Sequence, residues 1–353
     1  MMETERMEWL RELCNRPGVA GHEEMLQRFL KDSLAEITAD VRVDRMGNII
    51  ARRPADAGSP DGPPLRIMVA AHLDEIGFLV KHVDDEGFLR LVPLGGFDPV
   101  NLIAQRVLVH GSRTLKGVIA PLTQGPYAKP EKRTELAISD LYVDVGLGRE
   151  QVSQAVQVGD VVSLDQDLQE LNGEVLMGRN FDDRLGVYIM VEALRRLTTC
   201  PCDVYFTATA QEELGVRGAS VAAYAIQPDI SIAIDGSLAF DVPHASPEDR
   251  HCSMGGGPGI YRMDRLTISH RQVVDSLIAV AKRNGIPYQI NVGGGTDASA
   301  MQRTGLGSYA CTIGPPVRYM HSVVQLCHKA DLEHTVELLR LFLETVDPNE
   351  FLT

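Results

Sequence analysis

Phe206-Thr207-Ala208-Thr209-Ala210-Gln211-Glu212-Glu213-Leu214-Gly215 runs from an apolar strand pattern straight into two adjacent acids and a glycine. Open α/β sheets keep their active sites at the carboxyl ends of strands, so a buried strand here delivers its carboxylates to that edge. Side chains alternate along an extended backbone, and Glu212 and Glu213 therefore leave in different directions. One can bind a cation while the other stays free to move protons. Solvation of a strand end would explain the pair equally well.

Other strands end the same way. The apolar run from Leu65 to Ala71 stops at His72-Leu73-Asp74-Glu75, a His-x-Asp with a carboxylate placed to orient the imidazole. A capped core histidine would look alike. Asn180-Phe181-Asp182-Asp183-Arg184 opens a strongly apolar helix, where the helix dipole favours negative charge and capping alone would account for both acids. Ile230 to Ile234 is a buried strand ending in Asp235-Gly236, and Ser308 to Ile313 a last strand followed by the loop that holds His321. Gly293-Gly294-Gly295-Thr296-Asp297 opens the helix Ala298 to Gln302 and reads as backbone brought close to a ligand.

Between Ile76 and about Leu164 the texture changes to short alternating segments separated by turn signals, the mark of a small all-β insertion. Within it, Thr123 to Ser139 reads as a mobile loop, and Pro54 to Pro64, before the insertion, as a surface loop. Helical spacing covers Met7 to Cys14, then a second helix with Met25, Leu26, Phe29, Leu30 and Leu34 on its core face, and later Ala219 to Ala225, Arg271 to Arg283 and Asp331 to Val346. Leu238 to Gly259 reads as irregular. Its glycine run lacks the lysine-Ser/Thr pair of a phosphate loop. The alternation of strands and helices predicts an α/β domain with a mainly parallel sheet formed by residues 1–75 and 165–353, interrupted by the β module at 76–164.

A chain of 353 residues accommodates one large domain plus a small one. No apolar run approaches the roughly 20 residues needed to span a bilayer, and the amino terminus lacks the order of a secretory signal, which points to the cytoplasm. The net charge of −14 opposes phosphate backbones and anionic lipid, removing nucleic acid and membrane as partners. Six scattered cysteines without a Cys-x-x-Cys pair read as reduced thiols.

His72, Asp182, Glu213, Asp235 and His321 thus gather on one side of a sheet. Two imidazoles and three carboxylates suit two divalent ions about 3.5–4 Å apart, with one carboxylate bridging them. Zinc or cobalt fits this mixed nitrogen and oxygen set.

The His-x-Asp at 72–74, Asn-Phe-Asp-Asp-Arg at 180–184, Glu-Glu-Leu-Gly at 212–215, Asp-Gly at 235–236, Gly-Gly-Thr-Asp at 294–297 and Arg-Tyr-Met-His-Ser at 318–322 resemble, in order and over nearly the whole chain, the tetrahedral aminopeptidases. These are cytosolic di-metal peptidases often labelled glutamyl aminopeptidase or endoglucanase. The resemblance implies that Asp182 bridges the metals, that His72 and Asp235 complete one ion and Glu213 and His321 the other, that Glu212 is the general base, and that Asp74 orients His72. It also implies that the insertion is a PDZ-like dimerisation domain, that the subunits self-associate into a dodecamer, and that the substrates are short peptides. Two departures stand out. Gln124-Gly125-Pro126-Tyr127 replaces a Pro-Pro-His run, and His321-Ser322-Val323-Val324-Gln325 replaces His-Ser-Pro-x-Glu; neither is expected to touch a proposed ligand.

Two other activities use acid clusters. A di-metal deacylase would cut another amide. A glycoside hydrolase would need aromatic sugar platforms, yet aromatics are only 5% of the chain, and it would leave both histidines without a role. The residues at 237–259 and the turn at 293–297, with Gly294, Gly295, Thr296 and Asp297, are the expected walls of the substrate pocket.

Overall fold

A computed structural model describes residues 4–56, 64–122, 136–243 and 245–351. An eight-stranded sheet runs in the order Val41–Val43, Ile49–Arg53, Asp203–Thr209, Arg66–His72, Ile230–Ile234, Tyr309–Gly314, Gly259–Met263 and Gln289–Val292. Its four central strands, from Asp203–Thr209 to Tyr309–Gly314, are parallel. The outer strands join antiparallel on both sides, although the last two are parallel to each other, so the sheet is parallel in four of its seven pairings and antiparallel in three.

The central strands read as continuous apolar runs because helices cover both faces. Along Arg66–His72, Ile67, Val69 and Ala71 enter one core and Met68 and Ala70 the other, as the two-residue period of a strand requires. The first face carries the helices Phe181–Arg196, Arg271–Asn284 and Lys329–Thr345 together with the two amino-terminal helices, Thr4–Asn15 and Glu24–Ala35. On the second face Arg217–Ile226 and Ala298–Arg303 pack through Ala219, Ala222, Ala223 and Ala298, whose small side chains let them lie close to the sheet. Met25 is 56% exposed, because Leu26, Leu30 and Leu34 form the buried stripe and Met25 lies about 100° around the helix from it.

Six strands between Gly77 and Leu164 close into a barrel around Phe78, Val80, Leu89, Val107, Val109, Ile119, Val143 and Val162. The insertion is not entirely β: the helix Arg149–Ala155 packs Val152 into the same interior. Of the two loops expected on either side of the barrel's first strands, residues 57–63 and 123–135 lie outside the described residues.

A second sheet of five short strands was not foreseen. It runs Gln169–Leu171, Val175–Gly178, Gln325–His328, Pro316–Arg318 and Ser237–Leu238. Strands of two to four residues are too short to display a period, and Tyr309–Gly314 is consequently not the last strand. All six cysteines are free and buried. Among the described residues no helix is long and apolar enough to cross a membrane.

Candidate metal centre

The small sheet delivers three of the residues singled out above. Asp182 follows its strand Val175–Gly178, Asp235 joins the main-sheet strand Ile230–Ile234 to Ser237–Leu238, and His321 lies in the loop between Pro316–Arg318 and Gln325–His328. The main sheet supplies the others. His72 ends its strand in register with Thr209, which sets the Glu212 turn beside it.

Two donor triads result. Ligand atoms of His72, Asp182 and Asp235 lie within 4.8 Å of one another, as do those of Asp182, Glu213 and His321, and Asp182 belongs to both. His72 Nε2 is 2.9 Å from Asp182 Oδ1, and His321 Nε2 is 3.2 Å from Asp182 Oδ2 and 3.4 Å from Glu213 Oε1. Each imidazole rests its other nitrogen on a backbone carbonyl: His72 Nδ1 donates to Asp74 O at 3.0 Å, and His321 Nδ1 to Gly96 O at 3.0 Å. A carbonyl only accepts, so both rings carry hydrogen on Nδ1 and turn Nε2 toward carboxylate oxygens. That arrangement needs a positive centre in between, whether a proton or a metal ion.

The electrostatics agree. Burial and the neighbouring Asp182 push Glu213 up to about 8, and burial with surrounding carboxylates raises Glu212 and Asp235 well above the usual carboxyl range. The hydrogen bond to Asp182 pushes His321 up to about 9. Among the described residues no arginine or lysine pairs with these acids. Repulsion of this kind is relieved by cations, and the mixed imidazole and carboxylate donor set fits divalent metals.

The Asp74 carboxylate lies beside the His72 ring, 3.6 Å from Nδ1 and farther from it than the Asp74 carbonyl, and it also accepts the backbone N–H of Glu212 at 2.9 Å and of Glu213 at 3.0 Å. Asp183, the next residue after Asp182, is fully buried and accepts the N–H groups of His72 and Gly186 at 3.1 and 3.0 Å. Gln325 Oε1 accepts the N–H of Asp182 at 3.0 Å, so the departure at that position does reach a donor.

The site opens into a cavity of about 690 Å³ lined by Asp182, Glu212, Glu213, Asp235 and His321. Gly294, Gly295 and Thr296 form part of its wall. Asp297 does not: it is 3% exposed, and its carboxylate accepts the hydroxyl of Thr209. Among the described residues of the stretch 237–259 only Leu238 reaches the cavity, and the remaining wall comes from Gly215, Val216, Gly236, Tyr261, Arg265, Leu266 and Met320. Tyr261 sits on a strand hidden behind a glycine-rich run, which is why its apolar pattern went unread.

Residues 47–338 match the family model described as M42 glutamyl aminopeptidase. The chain belongs to that family. It is 36% identical to a putative aminopeptidase of Acetivibrio thermocellus, with 96% of this chain and 98% of that one covered. Among solved structures it is similar to an aminopeptidase from the archaeon Desulfurococcus kamchatkensis, with TM-score 0.92, 34% identity and 98% and 96% of the two chains covered. It is also similar to the TET1 peptidase of Pyrococcus horikoshii, which can assemble into a tetrahedron or a large octahedral shell, with TM-score 0.84, 31% identity and 97% and 100% covered. This M42 chain is accordingly a peptide hydrolase with an α/β fold of several sheets like that of the TET aminopeptidases.

Proposed function

We propose that the chain is a di-metal aminopeptidase that releases amino-terminal residues from short peptides, with Glu212 as its general base. The observation that carries this reading is the pair of overlapping donor triads sharing Asp182, beside a glutamate left out of both and facing the same cavity. His72, Asp182 and Asp235 would hold one cation and Asp182, Glu213 and His321 the other, with zinc or cobalt favoured by the donor types. Bound there, two divalent cations would polarise the scissile carbonyl and acidify water.

The chain's own part is proton movement and placement. Asp74 fixes the backbone of Glu212 and Glu213, and the Glu212 carboxyl would take the proton of the attacking water and pass it to the leaving amine. Gly294, Gly295 and Thr296 would receive the substrate on the opposite wall. The barrel, in the place where a PDZ-like module is expected, exposes Val92, Val100, Ile103, Val118 and Leu122. These support self-association of a cytoplasmic enzyme through the inserted domain at 76–164, toward a dodecamer.

The test is hydrolysis of a panel of aminoacyl-anilides and short peptides, before and after EDTA and after return of zinc or cobalt. Release of single amino-terminal residues that stops with EDTA and returns with metal is the expected result. Protein loaded with two metals that frees no residue from any peptide, yet deacylates other amides, would overturn the substrate assignment.

A further inference from the structure

Four successive amides at the Glu212 turn each donate to a side chain from elsewhere in the sequence. Ala210 N–H reaches Asn48 Oδ1 at 2.9 Å, Gln211 N–H reaches Glu23 Oε1 at 3.2 Å, and Glu212 and Glu213 share the two oxygens of Asp74. Asp74 is accounted for by its place beside His72. Glu23 is not. It is 3% exposed, stands at the entry to the helix Glu24–Ala35, lines no part of the cavity, and has no lysine or arginine partner among the described residues. It also precedes the stretch matched by the family model.

An acid buried without a counter-charge is costly, and here its Oε1 receives the N–H groups of Gly21 at 2.9 Å and Gln211. Both residues are in the left-handed region, with φ of +82° and +57°. Glycine adopts that conformation freely, whereas a glutamine does so only where its surroundings hold it there. Gln211 immediately precedes Glu212, so a rotation at Gln211 swings the Glu212 side chain. One carboxylate holding the next two amides fixes their height but leaves a pivot, and a third fixed amide removes it.

We propose that Glu23 is a positioning residue: through the amide of Gln211 it sets the direction in which Glu212 enters the cavity. The proposal rests on Glu212 being the general base. It is tested by comparing Glu23→Gln with Glu23→Met, two side chains of similar size of which only the first offers an oxygen acceptor. The expected result is kcat within about threefold of wild type for Glu23→Gln and at least tenfold lower for Glu23→Met, with KM within about twofold and equal metal content in all three. Glu23→Asp, which keeps the charge but withdraws the acceptor by one methylene, should fall between them and serves if Glu23→Met does not fold. Equal kcat in the Gln variant and in whichever of the Met and Asp variants folds would overturn the proposal, as would a loss that follows metal content or KM. An active Glu212→Gln enzyme would instead overturn the base assignment, so the two failures are distinct.

Discussion

Glu75 Oε1 and Arg184 Nη2 lie 3.4 Å apart in the interior, with side-chain exposures of 3% and 0%. Glu75 closes the segment that carries His72 and Asp74, and Arg184 the one that carries Asp182, so the ion pair ties two donor loops together beneath the site. Arg179 adds a contact of 2.9 Å to Glu75 Oε2, and Gly18 N–H a further one of 3.0 Å to Oε1. Removing one partner of such a cluster strands the others. Glu75→Ala should destabilise the fold by about 3–5 kcal/mol, read as a lowered denaturant midpoint against wild type.

The same carboxylate makes stability depend on pH. Burial would raise it, but Arg179 and Arg184 prevail and hold Glu75 below the usual carboxyl range. A folded-state pKa lower than the unfolded one contributes stability that is complete above the unfolded value and is lost as pH falls through the folded one. The gap in stability between wild type and Glu75→Gln should therefore be constant near neutrality and narrow only in acid below the ordinary glutamate range. Denaturant titrations at a series of pH values would measure it, and a gap unchanged in acid would contradict the assignment.

Sharing of Asp182 by both triads makes metal stoichiometry diagnostic. His321→Ala, at the more exposed end of the second triad with 41% of its side chain accessible, should lower the metal content to about one ion per subunit. Asp182→Ala should lower both. Elemental analysis after dialysis distinguishes the two patterns, and retention of two ions by Asp182→Ala would remove it from the bridging role.

Glu212→Gln preserves shape and leaves every donor of both triads in place. Turnover should fall by about 10²–10⁴-fold while two metals remain bound. Steady-state kinetics with metal analysis on the same sample decides it.

Asp74→Ala leaves the N–H groups of Glu212 and Glu213 without acceptors. Each costs about 1–3 kcal/mol of stability, and the loosened turn should lower kcat by about 100-fold with little change in KM. A kcat equal to wild type would show that the turn holds itself.

Four of the five donors are legible because each adjoins an unmistakable feature: His72, Glu213 and Asp235 come after buried apolar runs, and Asp182 opens an apolar helix. What periodicity could not carry was the layer behind them. The strands Val175–Gly178, Pro316–Arg318 and Gln325–His328 are short and irregular in pattern, yet they place Asp182 and His321. Nothing near Asp74 in the sequence announces that its carboxylate also serves amides 138 and 139 residues away. Asp297 adjoins the glycines of the cavity wall in sequence, but the chain has already turned inward there to begin a helix. Side chains that satisfy distant backbone groups leave no local mark.

The five-stranded sheet also imposes an order of events. Its strand Val175–Gly178 pairs with Gln325–His328, and Ser237–Leu238 with Pro316–Arg318, so the platform beneath three donors closes only when residues near the carboxyl end arrive. A ribosome making this chain emits His72 some 250 residues before His321. Until the segment through His328 has been made the nascent protein carries an unassembled half of a blade, and a cell that makes it is exposed to a peptide-cutting activity only after that point.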